Sequence, residues 1–328
     1  MLLLALSGCS VTEGTGLVSV TGLTMGTSYT VKWWAHNGID TDWVKSGVQS
    51  ELVRIEDSMS TYTDVSDVSG FNGASRNLWH PVPLQMARLI NLAQEISIIT
   101  DGAFDITVGP LVNLWGFGPD PKRLRIPTSL QLNAMRPRIG YQKLQVKLKP
   151  PALLKTADAS IDLSAIAKGY GVDAVSSWLQ QQGVHNFLVE VGGELRASGF
   201  KPDKTPWRIA IETPTIDARQ VYQIVEIRDM AVATSGNYRN YYEVQGVRYA
   251  HTLDPATLRP VIHKLASVTV LDQSAARADA LATALMVMGD EKGLAWARQQ
   301  QQAAHFIIQT EAGLVAKTSG NFSQYMVR

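Results

Sequence analysis

Asp279 and Thr283 stand four residues apart in Ser274-Ala-Ala-Arg-Ala-Asp-Ala-Leu-Ala-Thr-Ala-Leu-Met-Val-Met-Gly289, a stretch that is apolar nearly all round. Helical spacing puts the two side chains on one face. An ionised carboxylate in such company is costly unless something compensates it. A hard cation held by carboxylate, hydroxyl and carbonyl oxygens is one compensation. The other reading is an acid in the first helical turn that complements the helix dipole. Lys168 poses a second question. It falls in the opening turns of the helix after Ser160-Ile-Asp-Leu-Ser-Ala-Ile-Ala-Lys-Gly169, where the dipole disfavours a cation. A bound anion would explain it; a solvated surface lysine is the plain alternative. His251, just before Asp254-Pro255, is either a satisfied structural histidine or a proton acceptor near neutral pH.

Positioning these groups falls to a mixed set of elements. Leu17 to Trp34 alternates β-formers around a glycine break and reads as strand. A helix is predicted from Asp42 to about Met59, with Val44, Val48, Leu52, Ile55 and Met59 at helical spacing. A loop follows, ending in Ser69-Gly-Phe-Asn72, and a second helix runs from Pro83 to about Thr100. Asp101 to Gly118 mixes glycine, proline and large apolar groups too closely for a regular element. Such a stretch either wraps a planar ligand or packs on the core as an apolar loop. A short helix is expected around Ser129 to Met135. A strand over Leu144 to Leu148 leads to a turn at Asp162 and a helix through Leu179. Asn186 to Val191 and Leu195 to Ser198 flank Gly192-Gly193 as a hairpin. Further strands are expected at Trp207 to Glu212, Tyr222 to Ile227, Met230 to Thr234, Leu265 to Leu271, His305 to Thr310 and Phe322 to Val327. The fold class read from this order is α+β: antiparallel sheets with packed helices in one domain.

Composition narrows the function classes. The 328 residues carry 30 lysines and arginines against 29 aspartates and glutamates, a net charge of +1, with no long basic run. A nucleic-acid partner therefore lacks electrostatic support. A single cysteine, Cys9, rules out an intrachain disulfide. Cys9 ends Leu-Ser-Gly-Cys after a short apolar run, and this resembles the lipobox of bacterial lipoproteins. On that reading residues 1–16 are a signal remnant and tether, Cys9 is the lipid anchor, and the functional domain spans 17–328. No lysine or arginine precedes the apolar run, which is shorter than an ordinary signal. Ser10, not aspartate, follows the cysteine, so the usual inner-membrane retention cue is absent.

Eight blocks in order carry a family resemblance. They are Met25-Gly-Thr27, Met59-Ser-Thr-Tyr62, Phe71-Asn72, Asp101 to Gly118, Ile161 to Gly169, Val191-Gly-Gly193, Thr234 to Arg239 together with His251-Thr-Leu-Asp-Pro255, and Ala278-Asp-Ala-Leu-Ala-Thr283. From about Val20 to the C-terminus the chain resembles the ApbE family of FAD:protein FMN transferases. The resemblance implies two related halves enclosing an FAD cleft. It also implies a Mg²⁺-dependent reaction that passes FMN from FAD to a threonine hydroxyl of a target protein and releases AMP. By family position, Asp279, Thr283 and the carbonyl of Ala165 hold the cation. Met25, Tyr62, Ala103, Phe104, Asp105, Asp162, Lys168 and the backbone around Leu253 contact FAD, with Tyr62 and Phe104 as flat partners for its rings. His251 is the general base, with Asp279 a second participant. Some relatives carry an acid where this chain has Ala282. The implied acceptors are subunits of electron-transfer or ion-pumping membrane complexes. The implied location is the periplasm, lipid-anchored at the inner membrane. A Mg²⁺-dependent FAD pyrophosphatase and a non-catalytic FAD-binding protein stay open as alternatives.

Overall fold

Eight strands form the central sheet, and their order in space is their order along the chain. They are β1 (Leu17–Thr24), β2 (Thr27–Trp34), β3 (Phe187–Val191), β4 (Glu194–Ser198), β5 (Met230–Gly236), β6 (Leu265–Asp272), β7 (Ala304–Thr310) and β8 (Gly313–Ser319). Every neighbouring pair is antiparallel. The structure, a computed structural model, describes residues 16–34, 39–118, 126–201, 203–215, 220–238, 241–244 and 247–327. Cys9 lies outside the described residues.

The helices enter as insertions between these strands. Between β2 and β3 come α1 (Thr41–Met59), α2 (Asp67–Gly73), α3 (Leu84–Ile99), α4 (Gly109–Leu114), α5 (Ser129–Met135) and α6 (Ala167–Gln181). A small sheet of His80–Pro81, Pro151–Lys155 and Leu144–Leu148 lies among them. Between β6 and β7 runs α7 (Ala275–Gln299).

Period-two alternation decides what each strand offers to each face. Tyr29, Val31 and Trp33 of β2 pack with Val189 of β3 against Val48 and Leu52 of α1 and Val172 and Val175 of α6. Ala233, Val268 and Phe306 of the later strands meet the alanine-rich face of α7. The opposite face carries Leu195, Ala197, Val232 and Ile307, covered by the hairpin Trp207–Glu212/Val221–Ile227 and by Phe322. Fully burying each such aliphatic or aromatic side chain stabilises the fold by about 1.5–3 kcal/mol. Small residues let α7 lie close on the sheet. Its first half ends at Gly289, whose φ of 80° breaks the helix. There His263 Nε2 hydrogen-bonds the Met286 carbonyl at 2.7 Å, satisfying an acceptor freed by the break.

The α+β class is as expected, and several element bounds are corrected. Asp101 to Gly118 is not wholly irregular: α4 forms inside it, with Pro110 in its first turn where no N–H is needed. The expected loop before Asn72 is largely α2, capped by Ser66, whose hydroxyl accepts from Ser69 N. The expected terminal strand is a 3₁₀ turn, Phe322–Tyr325, followed by a single bridge from Met326 to Val225. Pro151–Lys155 and Gly313–Ser319 are strands that apolar alternation did not reveal; the second is largely exposed. No helix among the described residues is long and apolar enough to cross a membrane.

Candidate active site

A glycine brings the two chemical helices together. A Cβ at Gly169 would lie 2.3 Å from the Ala275 carbonyl oxygen, so only glycine lets the start of α6 pack on the start of α7. Asp173, one turn further along α6, then caps α7 from outside. Its carboxylate accepts from Ala275 N and Ala276 N, both at 3.0 Å, and from Ser274 Oγ at 2.7 Å. Arg196 pairs with it at 3.1 Å. This cap satisfies amides that a helix start leaves open and fixes α7 in register against α6. In that register Asp279 Oδ2 accepts from Gly169 N at 3.1 Å and lies 3.9 Å from Lys168 Nζ. Alternation along β4 turns Glu194 and Arg196 toward the helices, and Glu194 Oε2 comes within 3.5 Å of the same ammonium. Lys168 is therefore no solvated surface lysine, and Asp279, past the first turn, is no simple dipole partner.

One ammonium between two buried carboxyl groups can balance only one of them in its ionised form. Burial holds the Asp279 carboxyl above its ordinary range, against the pull of Lys168 and Gly169 N. Burial pushes Glu194 up to about 8, with Lys168 opposing. For Lys168 burial acts downward, but Asp279 and Glu194 outweigh it and hold the ammonium well above its usual value. With both carboxyls ionised the cradle is one positive charge short. It also offers oxygens. In a regular helix Gly169 N would donate to the Ala165 carbonyl; here it donates to Asp279 instead, and no backbone amide among the described residues takes its place. Thr283 Oγ1, one turn beyond Asp279, meets Ser235 Oγ at 3.3 Å. A carboxylate, a hydroxyl and an unused carbonyl form a hard-oxygen set that fits Mg²⁺. No cluster of three or more His, Cys, Asp or Glu suited to a metal occurs among the described residues.

Two loops extend the site. Ile161 is gripped by the Asn72 amide, which donates to its carbonyl at 2.9 Å and accepts from its N–H at 2.7 Å. Buried Lys155 holds the Asn72 carbonyl at 2.6 Å and the Ala159 carbonyl at 3.2 Å. Asp162 N donates to the Ile106 carbonyl at 2.7 Å, and Val108 bridges Ser160. The segment 105–118 thus starts against the loop that leads to Ala165 and Lys168. Its far end forms an aromatic wall. Phe117 lies 5.2 Å from Tyr242 and meets His251 edge-on at 6.4 Å; Tyr242 stacks on Tyr249 at 5.5 Å, and Trp115 lies 5.6 Å from Tyr249. Trp115 Nε1 donates to the Leu258 carbonyl at 3.0 Å and locks the wall to the turn after His251.

The model of a family described as the ApbE family matches residues 25–308. The chain belongs to the ApbE family. Among its relatives, the FAD:protein FMN transferase of Vibrio cholerae is 43% identical over 326 residues, covering 99% of this chain and 96% of the relative. The solved flavin transferase ApbE from Vibrio cholerae superposes with a TM-score of 0.88 at 42% identity, covering 94% of this chain and 99% of that one. The apo flavinyl transferase ApbE of Pseudomonas stutzeri gives 0.87 at 42% identity, covering 94% and 96%.

Against this ApbE frame the expected site residues fall into groups. Lys168, Asp279, Thr283 and Ala165 converge in the cradle. Asp162 lies on the adjoining loop, where its Oδ1 accepts from Ser164 N at 2.8 Å. Met25 sits in the β1–β2 turn with a φ of 49°, its N–H donating to Glu56 Oε1 at 2.8 Å and its side chain over Gly171. Tyr62 is 72% exposed, leaving its ring open. His251 stands at the aromatic wall, and Leu253 is buried there. Phe104 needs correction as a flat partner: its ring is buried in the core, while neighbouring Ala103 is half-buried. Asp105 is also differently occupied. Its carboxylate accepts from Thr107 N and Oγ1 and from Tyr141 N, at 2.7–2.8 Å, which braces the loop. Burial nonetheless keeps its pKa raised. Asn237, in the block Thr234 to Arg239, donates to Met286 Sδ at 3.1 Å. Arg239 lies outside the described residues. Glu194, Glu56 and Asp173 were missed. Glu194 alone carried a visible signal, an acid alternating with Arg196 across apolar Leu195.

Proposed function

We propose that this chain transfers FMN from FAD to a protein, that the accepting atom is a threonine hydroxyl, and that the transfer requires Mg²⁺. The observation that carries the chemistry is Lys168 held between Asp279 and Glu194, with Thr283 one turn beyond Asp279 and the Ala165 carbonyl, which takes no backbone amide among the described residues, one turn before Gly169. Such an arrangement matches a pyrophosphate and its counter-cation. Bound to Asp279, Thr283 and Ala165, Mg²⁺ would neutralise charge on the phosphates and on departing AMP.

The chain's own residues supply the rest. Lys168 offers a point charge to the pyrophosphate. The 105–118 segment and Tyr62 orient the flavin and adenosine ends. His251 takes the proton from the threonine Oγ as that oxygen forms its bond to the FMN phosphorus. The bond from that phosphorus to the bridging oxygen breaks, and AMP leaves with the electron pair. Aligning these groups is most of the catalysis such a transfer needs. The acceptor we favour is a subunit of an electron-transfer or ion-pumping membrane complex. We place the enzyme in the periplasm, held by a lipid on Cys9.

The test mixes the full chain with FAD, Mg²⁺ and an acceptor bearing the threonine, then analyses products by mass spectrometry. Covalent flavin on the acceptor with matching AMP supports transfer. Free FMN and AMP, with an unmodified acceptor, supports the pyrophosphatase reading. Intact FAD supports a binding protein.

A further inference from the structure

Glu194 has no assigned part in this chemistry, yet it is built into the cradle. It is only 4% exposed, and its Oε2, 3.5 Å from Lys168 Nζ, has no hydrogen-bond partner among the described residues. A buried carboxylate in this state is expensive unless it serves a nearby cation. It opens β4 directly after Gly192 and Gly193, both at positive φ. Gly192 is needed there: a Cβ would press within 2.8 Å of Thr27 and 3.0 Å of the Lys168 side chain. The hairpin is therefore shaped to let the lysine stem pass beneath it and to present a carboxylate at its tip.

We propose that Glu194 is a positioning residue that holds the Lys168 ammonium for the FAD pyrophosphate. The inference rests on the reading of Lys168 as a phosphate contact. Lys168 has two carboxylate partners, and Asp279 is the one a cation would claim. Glu194 is left to keep the ammonium in place, at the start of a helix whose dipole repels it. The ammonium's other neighbours, the Ser164 carbonyl at 3.5 Å and Asp279 at 3.9 Å, are long contacts that a phosphate oxygen can displace. With glutamine at 194 the lysine keeps only Asp279 and that carbonyl.

The test is a double-mutant cycle on FAD affinity, measured by calorimetry with Mg²⁺ and no acceptor. The variants are Glu194→Gln, Lys168→Met and the pair together. Glu194→Gln is expected to weaken FAD binding about tenfold, the scale of one charge-assisted contact. In the Lys168→Met background the same change should have no further effect. Glu194→Asp, which keeps the charge but shortens the reach, should fall between wild type and Glu194→Gln. Melting temperatures taken alongside separate this from a structural role, which would lower stability and give additive losses of affinity. Additive losses, or unchanged FAD affinity in Glu194→Gln, overturn the proposal. If Glu194→Gln does not fold, Glu194→Asp carries the same cycle. A wild-type chain that binds FAD but does not modify the acceptor refutes the transferase reading and leaves this cycle readable.

Discussion

The cradle and the aromatic wall are built in opposite ways. In the cradle each charged group is fixed by several others: Asp173 sets α7, α7 sets Asp279, and Lys168 is shared by Asp279 and Glu194. Its elements are a long helix, an adjoining helix and a central strand. The wall uses rings from short pieces, the 105–118 segment and the hairpin Tyr241–Val244/Val247–Ala250, held by stacking and one indole hydrogen bond. Phosphoryl-type transfer asks for this division. Charge must be placed to a fraction of an ångström to stabilise a transition state. A planar ring system tolerates sliding, because stacking is broad in geometry. An acceptor protein must also enter from somewhere, and the side made of short, surface elements is the one able to admit it.

The comparison can be broken most sharply at Asp279. Asp279→Ala should lower the rate of FMN transfer at least about 10³-fold, since on the proposed reading it removes a cation ligand. Transfer at the wild-type rate without added metal would break the assignment. On the other side, His251→Ala should cost about 10²-fold in turnover, the lower range for a lost general base, while FAD binding by calorimetry stays near wild type. Asp173→Ala tests whether the cradle depends on its brace. Loss of the cap and of the Arg196 pairing should lower stability by about 2 kcal/mol in urea unfolding, with residual activity in the molecules that remain folded.

His305 is a control outside both regions. It is fully buried on the far face of the sheet, stacked on Phe322 at 5.3 Å, and burial lowers its pKa to about 4. Its folded-state pKa lies below the unfolded value, so its neutral form is favoured in the fold. Its share of stability is fully present above the unfolded pKa of about 6.5 and is lost as pH falls from there toward about 4. Chemical unfolding across that window should show a slope approaching about 1.4 kcal/mol per pH unit. That component should vanish in His305→Phe, with FAD affinity unmoved. The smallest effect is expected at the wall: Phe117→Leu should weaken FAD affinity or turnover by about threefold, within the range for one aromatic contact.

The sequence was legible where apolar spacing was regular. The face of α1, with Val44, Val48, Leu52, Ile55 and Met59, was read residue for residue, and the α7 pair Asp279 and Thr283 stood out against alanine and leucine. Long-range contacts were not legible. Nothing local ties Asp173 to Ser274, 101 residues away, or Asn72 to Ile161, 89 residues away. Phe104 was a flat partner by family resemblance, but tertiary packing turned its ring inward. Gly169 reads as a helix breaker in isolation; its reason is the Ala275 carbonyl pressed against it.

The most direct measurement is a structure of the full chain with FAD and Mg²⁺ bound. The account predicts one cation shared by the Asp279 carboxylate, the Thr283 hydroxyl, the Ala165 carbonyl and the FAD pyrophosphate, with the Lys168 ammonium on a phosphate oxygen. A pyrophosphate seated away from α7, with Asp279 touching neither cation nor phosphate, would contradict it.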